Sequence, residues 1–488
     1  MFPKGTAPMV SDPAGKNPRT VIVGAGAAGL SAAYRLSLGG QTNFLVLEAQ
    51  KNAGGRIQSY YYDDKVLELG AQWVHGEEGN PLYGFALSNN LLADPRRHFS
   101  IEGKGHFCTD RGTRLPQDLV DGVVTVLNQI KEELGGKRPR PEGELLALHE
   151  LPTSVGEYLR SRFHEHLMHQ GDSEDMAKIK WSIYDWYWRF EVIDNSCYSL
   201  DELSFKSYEE FEECPGTWNI NLKNGFSSVI KTLMDNVPKA NIRYNKPVRR
   251  VYWDSTRETI EENIPFVECE DGEIISCRHV LLTVSAGYLK RHVDDLFEPR
   301  LPEKKRQALR GIGFGTINKI YLIFAEPFWE PGTEGFQLIW LDEEPDSADN
   351  KDWWLRGLSG FDPVYQDPNA LVGWIGGKAS EYMETLSDAQ VASACVRALR
   401  QFLNRDIPDP KAIVRSCWNS NPYILGSYSN RQLPALRGAS QAGSAVPCAM
   451  HWPLVLFAGE ATDKDFYSTV HGAMRSGFRE ADRLIQFW

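Results

Sequence analysis

One stretch constrains the fold more than any other: "RTVIVGAGAAGLSAAYRL", Arg19–Leu36. Val21 to Val23 is a short apolar run that ends in glycine, the pattern of a strand buried in a parallel sheet. Gly24, Gly26 and Gly29 follow with G-x-G-x-x-G spacing, and the alanine-rich run Ala27 to Leu38 reads as helix. "NFLVLEA" supplies a second strand, which Glu48 ends nineteen residues after Gly29. Strand, glycine turn, helix and strand make a βαβ unit. In that context the glycines serve a tight turn, close approach of a pyrophosphate and helix packing. The helix N-terminus attracts the pyrophosphate, and Glu48 can accept from a ribose hydroxyl. "KNAGGRIQS" adds Gly54, Gly55 and Arg56 directly afterwards. A long FAD stretched along the sheet uses a second glycine-arginine turn; an NAD site has no need of one. Arg56 can pair with diphosphate or order its loop.

The rest of the chain is not nucleotide-fold sequence. At 488 residues it exceeds what one core usually serves, so two domains are expected. "RLPQDLVDGVVTVLNQIKEELGG", "TSVGEYLRSRF" and "AKIKWSIYDWYWRFEVID" read as helices; "PVRRVYW", "PFVECE", "HVLLTV", "KIYLIF", "FQLIWLD" and "LVGWIGG" read as strands. Ser387 and Gln390 form a capping box ahead of a further helix. "LVLFAGEAT" is another buried strand, and an amphipathic helix closes the chain. The fold class is therefore α/β. A Rossmann-like FAD-binding domain with a parallel sheet spans 19–95, 225–300 and 445–488, and an α+β substrate domain is inserted as 96–224 and 301–444. Residues 1–18 are expected to be flexible.

A formal net charge of -12 argues against nucleic acid and anionic membranes and suits a cationic ligand, although solubility alone explains most of it. The eight cysteines include no Cys-x-x-Cys pair, so no metal site is expected and the thiols read as reduced. No signal peptide, membrane span or peroxisomal tripeptide is seen. A cytosolic or nuclear monomer is the expectation.

"VIVGAGAAGLSAAYRL", "GGRIQS", "ELGAQWVHG", "GFGTINKIYLIFAEPFW", "SNPYILGSYS" and "LFAGEATDKDFYSTVHGAMRSG" occur in that order from residue 19 to the end. Together they resemble the flavin-dependent amine oxidases, especially the animal polyamine oxidases. Ser285 stands where close family members carry proline, and 430–452 matches poorly, as a variable loop does.

The resemblance implies roles. Trp73 would be tunnel wall, with His75 hydrogen-bonding near the substrate nitrogen. Lys319 would hold a water beside the flavin ring, and a buried lysine there has a depressed pKa. Asn318, Tyr428 and Thr469 are candidates at the substrate, with Glu191 and Glu210 reading its remote cations. Gly70, Ala71, Val248, Trp418, Gly459, Glu460 and Val470 would lie against the cofactor, where the last helix N-terminus would stabilise reduced, anionic flavin. Bottom-up, a lysine at a strand start is more often solvated, Glu460 could be structurally salt-bridged, and a tryptophan beside a histidine is more often packing. "ILGSYS" lacks the cysteine that tethers flavin in monoamine oxidases, so the FAD is expected to be non-covalent. The implied reaction removes a hydride from the carbon beside a secondary amine of spermine, spermidine or their acetylated forms. Oxygen is the final acceptor; the products are an aldehyde, a shorter amine and hydrogen peroxide. A histone-lysine demethylase-like oxidase and a silent amine-binding flavoprotein are the rivals.

Overall fold

The computed structural model describes residues 17–94, 103–138, 152–253, 264–341, 351–364, 367–433 and 454–486. The expectations for 1–18 and for the 430–452 loop fall almost wholly outside those residues.

A five-stranded parallel sheet carries the nucleotide motif. Its order is Val455–Phe457, His279–Leu282, Thr20–Val23, Phe44–Leu47 and Ile242–Arg243. The central strands are buried along their whole length, which is why they read as unbroken apolar runs rather than alternations. Strands distant in sequence meet because crossover connections must cover both faces of such a sheet. On one face the helices Ala27–Leu38, Ser227–Asp235 and Val470–Ile485 close a core around Leu30, Phe226 and Met474. On the other lies a four-stranded sheet that includes Val248–Tyr252 and Phe266–Cys269.

A six-stranded mixed sheet forms a second layer. Its order is Ala412–Arg415, Ile317–Ile323, Asp367–Gly376, Leu358–Val364, Phe336–Ile339 and His106–Thr109. Only the last pair is parallel. The aromatic-dense helix Glu174–Asp194 packs on this sheet, with Trp186 donating to the Ser359 carbonyl at 3.0 Å. Gln117–Leu134 and Val155–Met168 pack beside it. The capping box is present: the Ser387 hydroxyl accepts from Gln390 N–H, and the Gln390 side chain accepts from Ser387 N–H. Ser285, the position that departs from the family pattern, caps the helix Ala286–Leu296 and donates to the Ile424 carbonyl at 2.6 Å. It thereby pins that turn to "ILGSYS".

Candidate active site

One cavity of about 900 Å³ runs from the glycine turn to the six-stranded sheet. The turn end is built by local chemistry. Gly24 has φ +108°, which L side chains rarely adopt, and a Cβ on Gly29 would sit 2.1 Å from the Gly24 carbonyl. Gly26 instead has room for a Cβ, with the nearest atom, the Gly54 carbonyl oxygen, at an ordinary contact distance of 3.9 Å. The helix that starts at Ala27 has no side-chain cap, so its first N–H groups point at the cavity without one. Glu48 is buried beside it and accepts from Ala25 N–H and Gln50 N–H, both at 2.8 Å. Its pKa is raised, chiefly by burial. A cradle that a methyl would fill, uncapped helical N–H groups and a buried carboxylate fit an anionic dinucleotide.

The cavity takes in Gly24, Gly26, Glu48, Gly55 and Arg56 at this end. Gly70, Ala71, Val248, Trp418, Gly459 and Glu460 line it further on, followed by Thr469 and Val470. Gly29 does not line it; its role is packing against Gly24. Arg56 donates to the Ser427 carbonyl and to Glu460, each at 2.8 Å. Glu460 also accepts from Ser429 and from Ser468 N–H. Arg56 thus ties its loop to two distant segments, and Glu460 lines the cavity while salt-bridged to it. Thr469 caps the last helix by accepting from Gly472 N–H at 3.0 Å, and that helix N-terminus opens on the cavity.

At the other end stands Lys319, third in its strand and 2% exposed. The expectation of a strand start is corrected, since pairing begins at Ile317. Its ammonium donates to the carbonyls of Glu68 (2.8 Å) and Gly70 (2.9 Å) and to the Gln72 side chain (2.7 Å). Three donors meet three protein acceptors, so a water at this ammonium must displace one, and Gln72 is the partner able to rotate away. The Trp374 ring lies 4.3 Å from the ammonium and the Trp73 ring 5.9 Å, the two indoles being stacked. Trp374 and Gln72 were missed from sequence. Trp374 sits directly across from Lys319 in the antiparallel register, a pairing that "LVGWIGG" alone does not reveal.

His75 lies in the same cavity, its ring 4.7 Å from Trp218. Among the described residues its Nδ1 is shut from solvent with no partner. Burial pushes the imidazole pKa down to about 4, against the opposing pull of Asp194 and Asn219. His471, in the first turn of the last helix, is also lowered to about 4, by burial and then by His75. Such a histidine takes up its proton more readily when unfolded, so its stabilisation is whole above the ordinary 6.5 and is lost as pH falls towards 4. Glu68, raised to about 7 by burial, acts with the opposite sign: its contribution is present below the ordinary 4.5 and is lost as pH rises through 7. Replacing His471 with Asn should therefore flatten the fall in melting temperature on acidification from neutrality. Melting curves that stay parallel to wild type down to about pH 4 would show that His471 is protonated alike in both states.

Three expected substrate residues do not line the cavity. Asn318 points to the opposite face of the strand from Lys319 and is buried. Its amide donates to Ser380 and Glu384, and its carbonyl accepts from Ser416 and Trp418 N–H. Glu191 is buried against Lys131 at 2.7 Å, and Glu210 faces Arg431 at 3.7 Å. Tyr428 does line the cavity, with its hydroxyl held on the Ile193 carbonyl at 2.7 Å. Among the described residues no lining residue is a cysteine, and Cys417 lies outside. Among the described residues no group of three or more His, Cys, Asp or Glu could hold a metal ion, and no helix is long and apolar enough to cross a membrane.

A cleft at the carboxyl ends of parallel strands, opened by a glycine turn and closed by a second layer, defines a nucleotide-binding α/β protein. The chain belongs to the flavin containing amine oxidoreductase family, whose model matches residues 27–485. It is similar to a bovine (Bos taurus) peroxisomal N(1)-acetyl-spermine/spermidine oxidase, 37% identical over 97% of this chain and 96% of that protein. Polyamine oxidase 1 of Oryza sativa subsp. japonica is 28% identical over 97% and 98% of the two chains. A putrescine oxidase triple mutant, redesigned for cofactor binding, superposes with a TM-score of 0.66 at 18% identity over 96% of this chain and 99% of that one, a likeness of fold.

Proposed function

We propose that the protein is an FAD-dependent polyamine oxidase, active on the carbon beside a secondary amine. The observation that carries this reading is the continuity of the glycine cradle with Lys319 and His75 in a single cavity. FAD, when bound, supplies the two-electron acceptor and hands the electrons to oxygen. The chain's own residues do the rest. Gly24, Gly26 and the helix at Ala27 would hold the pyrophosphate, with Glu48 at the ribose. Trp73 and Trp374 wall the reacting end and exclude water. Oxidation beside nitrogen needs the nitrogen's lone pair, so the amine must react in its neutral form. His75, neutral in the lining, adds no charge beside such an amine. Amine, oxygen and water balance to aldehyde, shorter amine and hydrogen peroxide.

The distribution of strands supports two domains with the boundaries given above. The FAD is proposed to be non-covalent, supported by a lining that among the described residues includes no cysteine. A monomer in the cytosol or nucleus is part of the proposal; the bovine relative's name places that protein in the peroxisome.

Anaerobic spermine, spermidine and their acetylated forms should be tested for bleaching of the yellow protein, with peroxide and aldehyde measured on admitting air. Failure of every amine to bleach it would leave an amine-binding flavoprotein without this activity. Acid precipitation should leave the yellow colour in the supernatant; colour in the pellet would mean a covalent tether.

A further inference from the structure

We propose that Lys131 sets the charge preference of the amine cavity by occupying the carboxylates of Glu191 and Asp194 with its own ammonium. The inference rests on the amine-oxidising function proposed above. Lys131 projects from the helix Gln117–Leu134, and the two acids lie in the last turn of Glu174–Asp194. Its Nζ is 2.7 Å from Glu191 Oε1 and 3.3 Å from Asp194 Oδ2. Lys131 and Asp194 line the same cavity as Lys319 and His75, whereas Glu191 lies behind them. Exposure agrees with that order: the lysine side chain is 34% accessible and the Glu191 side chain 6%. Glu191 is further engaged by Asn195, whose amide donates to it at 3.3 Å.

A ligand cation that reaches this place meets an ammonium before it meets Glu191. Two of the three lysine donors are spent on carboxylates, and the third can serve a ligand oxygen. The neighbouring lining acid Glu213 is likewise paired, with Lys137 at 2.6 Å. Lys131 and Lys137 therefore each offset one of these acids from within the protein. A second ammonium is drawn by the carboxylate left over and opposed by Lys131, so the lysine lowers the cavity's preference for an amine charged at its far end.

The test uses the holoenzyme and a matched pair, spermidine and its N-acetyl derivative that lacks one charge. Lys131→Met should raise the ratio of kcat/KM for charged over acetylated substrate by about tenfold or more, the return from one charge-assisted contact. Calorimetry without oxygen should show 1,8-diaminooctane gaining against octylamine by a similar factor. Lys131→Arg keeps the charge and should leave both ratios within about threefold of wild type, well short of a full contact. Glu191→Gln should move both ratios the other way, and it decides the matter if Lys131→Met does not fold. Ratios unmoved in Lys131→Met and Glu191→Gln overturn the role of Lys131. Wild-type protein that oxidises neither substrate overturns the proposed function instead, and the calorimetric ratio still judges Lys131.

Discussion

Lys319→Met is expected to keep its flavin and to lose turnover by roughly 10²–10⁴, the range for removing a positioned acid–base group. Methionine keeps the length and the apolar stem between Trp73 and Trp374, and removes the charge and all three donors. The phosphate-facing end of the cavity is untouched, so the flavin-to-protein absorbance ratio should match wild type. Stability should fall, because the Gly70 carbonyl loses a buried donor, at about 1–3 kcal/mol for a group left unsatisfied, while the Gln72 side chain can turn to water in the cavity. The Glu68 carbonyl keeps the Tyr321 hydroxyl at 2.7 Å and should suffer less. Assays therefore belong well below the variant's melting temperature. Stopped-flow measurement of bleaching under nitrogen, followed by recolouring in air, would locate the loss in one half-reaction or both. A flavin-replete variant within about threefold of wild type, far outside that range, would reduce Lys319 to a structural clamp on Glu68, Gly70 and Gln72.

What the sequence disclosed depended on how far each feature's cause extends along the chain. The βαβ unit was legible because strand, turn and helix signals all fall within thirty residues of Thr20. The burial of Lys319 was not. All seven residues of its strand are buried, so no alternation marks an inward face. Resemblance selected this lysine, and it also selected Asn318, whose side chain must leave the strand on the other face. Glu191 reads as an available acid until the helix sixty residues earlier brings Lys131 to it. Glu460 meets Arg56 across 404 residues, a contact that no local pattern records. Motifs whose geometry is local fold as read; where a side chain meets a distant partner, packing sets the contact.

The glycine turn offers a sharper test, because two of its glycines should fail in different ways. Gly26 has φ −80° and ψ −174°, extended backbone that any residue adopts, and 3.9 Å of clearance at the Cβ position. Gly26→Ala should leave the apoprotein's melting temperature close to wild type, yet its methyl enters the cleft where the pyrophosphate must approach. Flavin affinity should fall by at least about a hundredfold, or about 2.8 kcal/mol. Gly29→Ala places a methyl 2.1 Å from the Gly24 carbonyl and 2.8 Å from the Thr283 hydroxyl, inside the helix–strand contact. The backbone must shift, at an overpacking cost of about 1–3 kcal/mol, so the apoprotein itself should melt earlier. Calorimetric melting of the two apoproteins, followed by titration with FAD, separates the cases. Gly26→Ala binding FAD as wild type does would remove the pyrophosphate from this turn. Gly29→Ala melting with wild type would show that the helix can slide without cost, and the close packing assigned to Gly29 would fail with it.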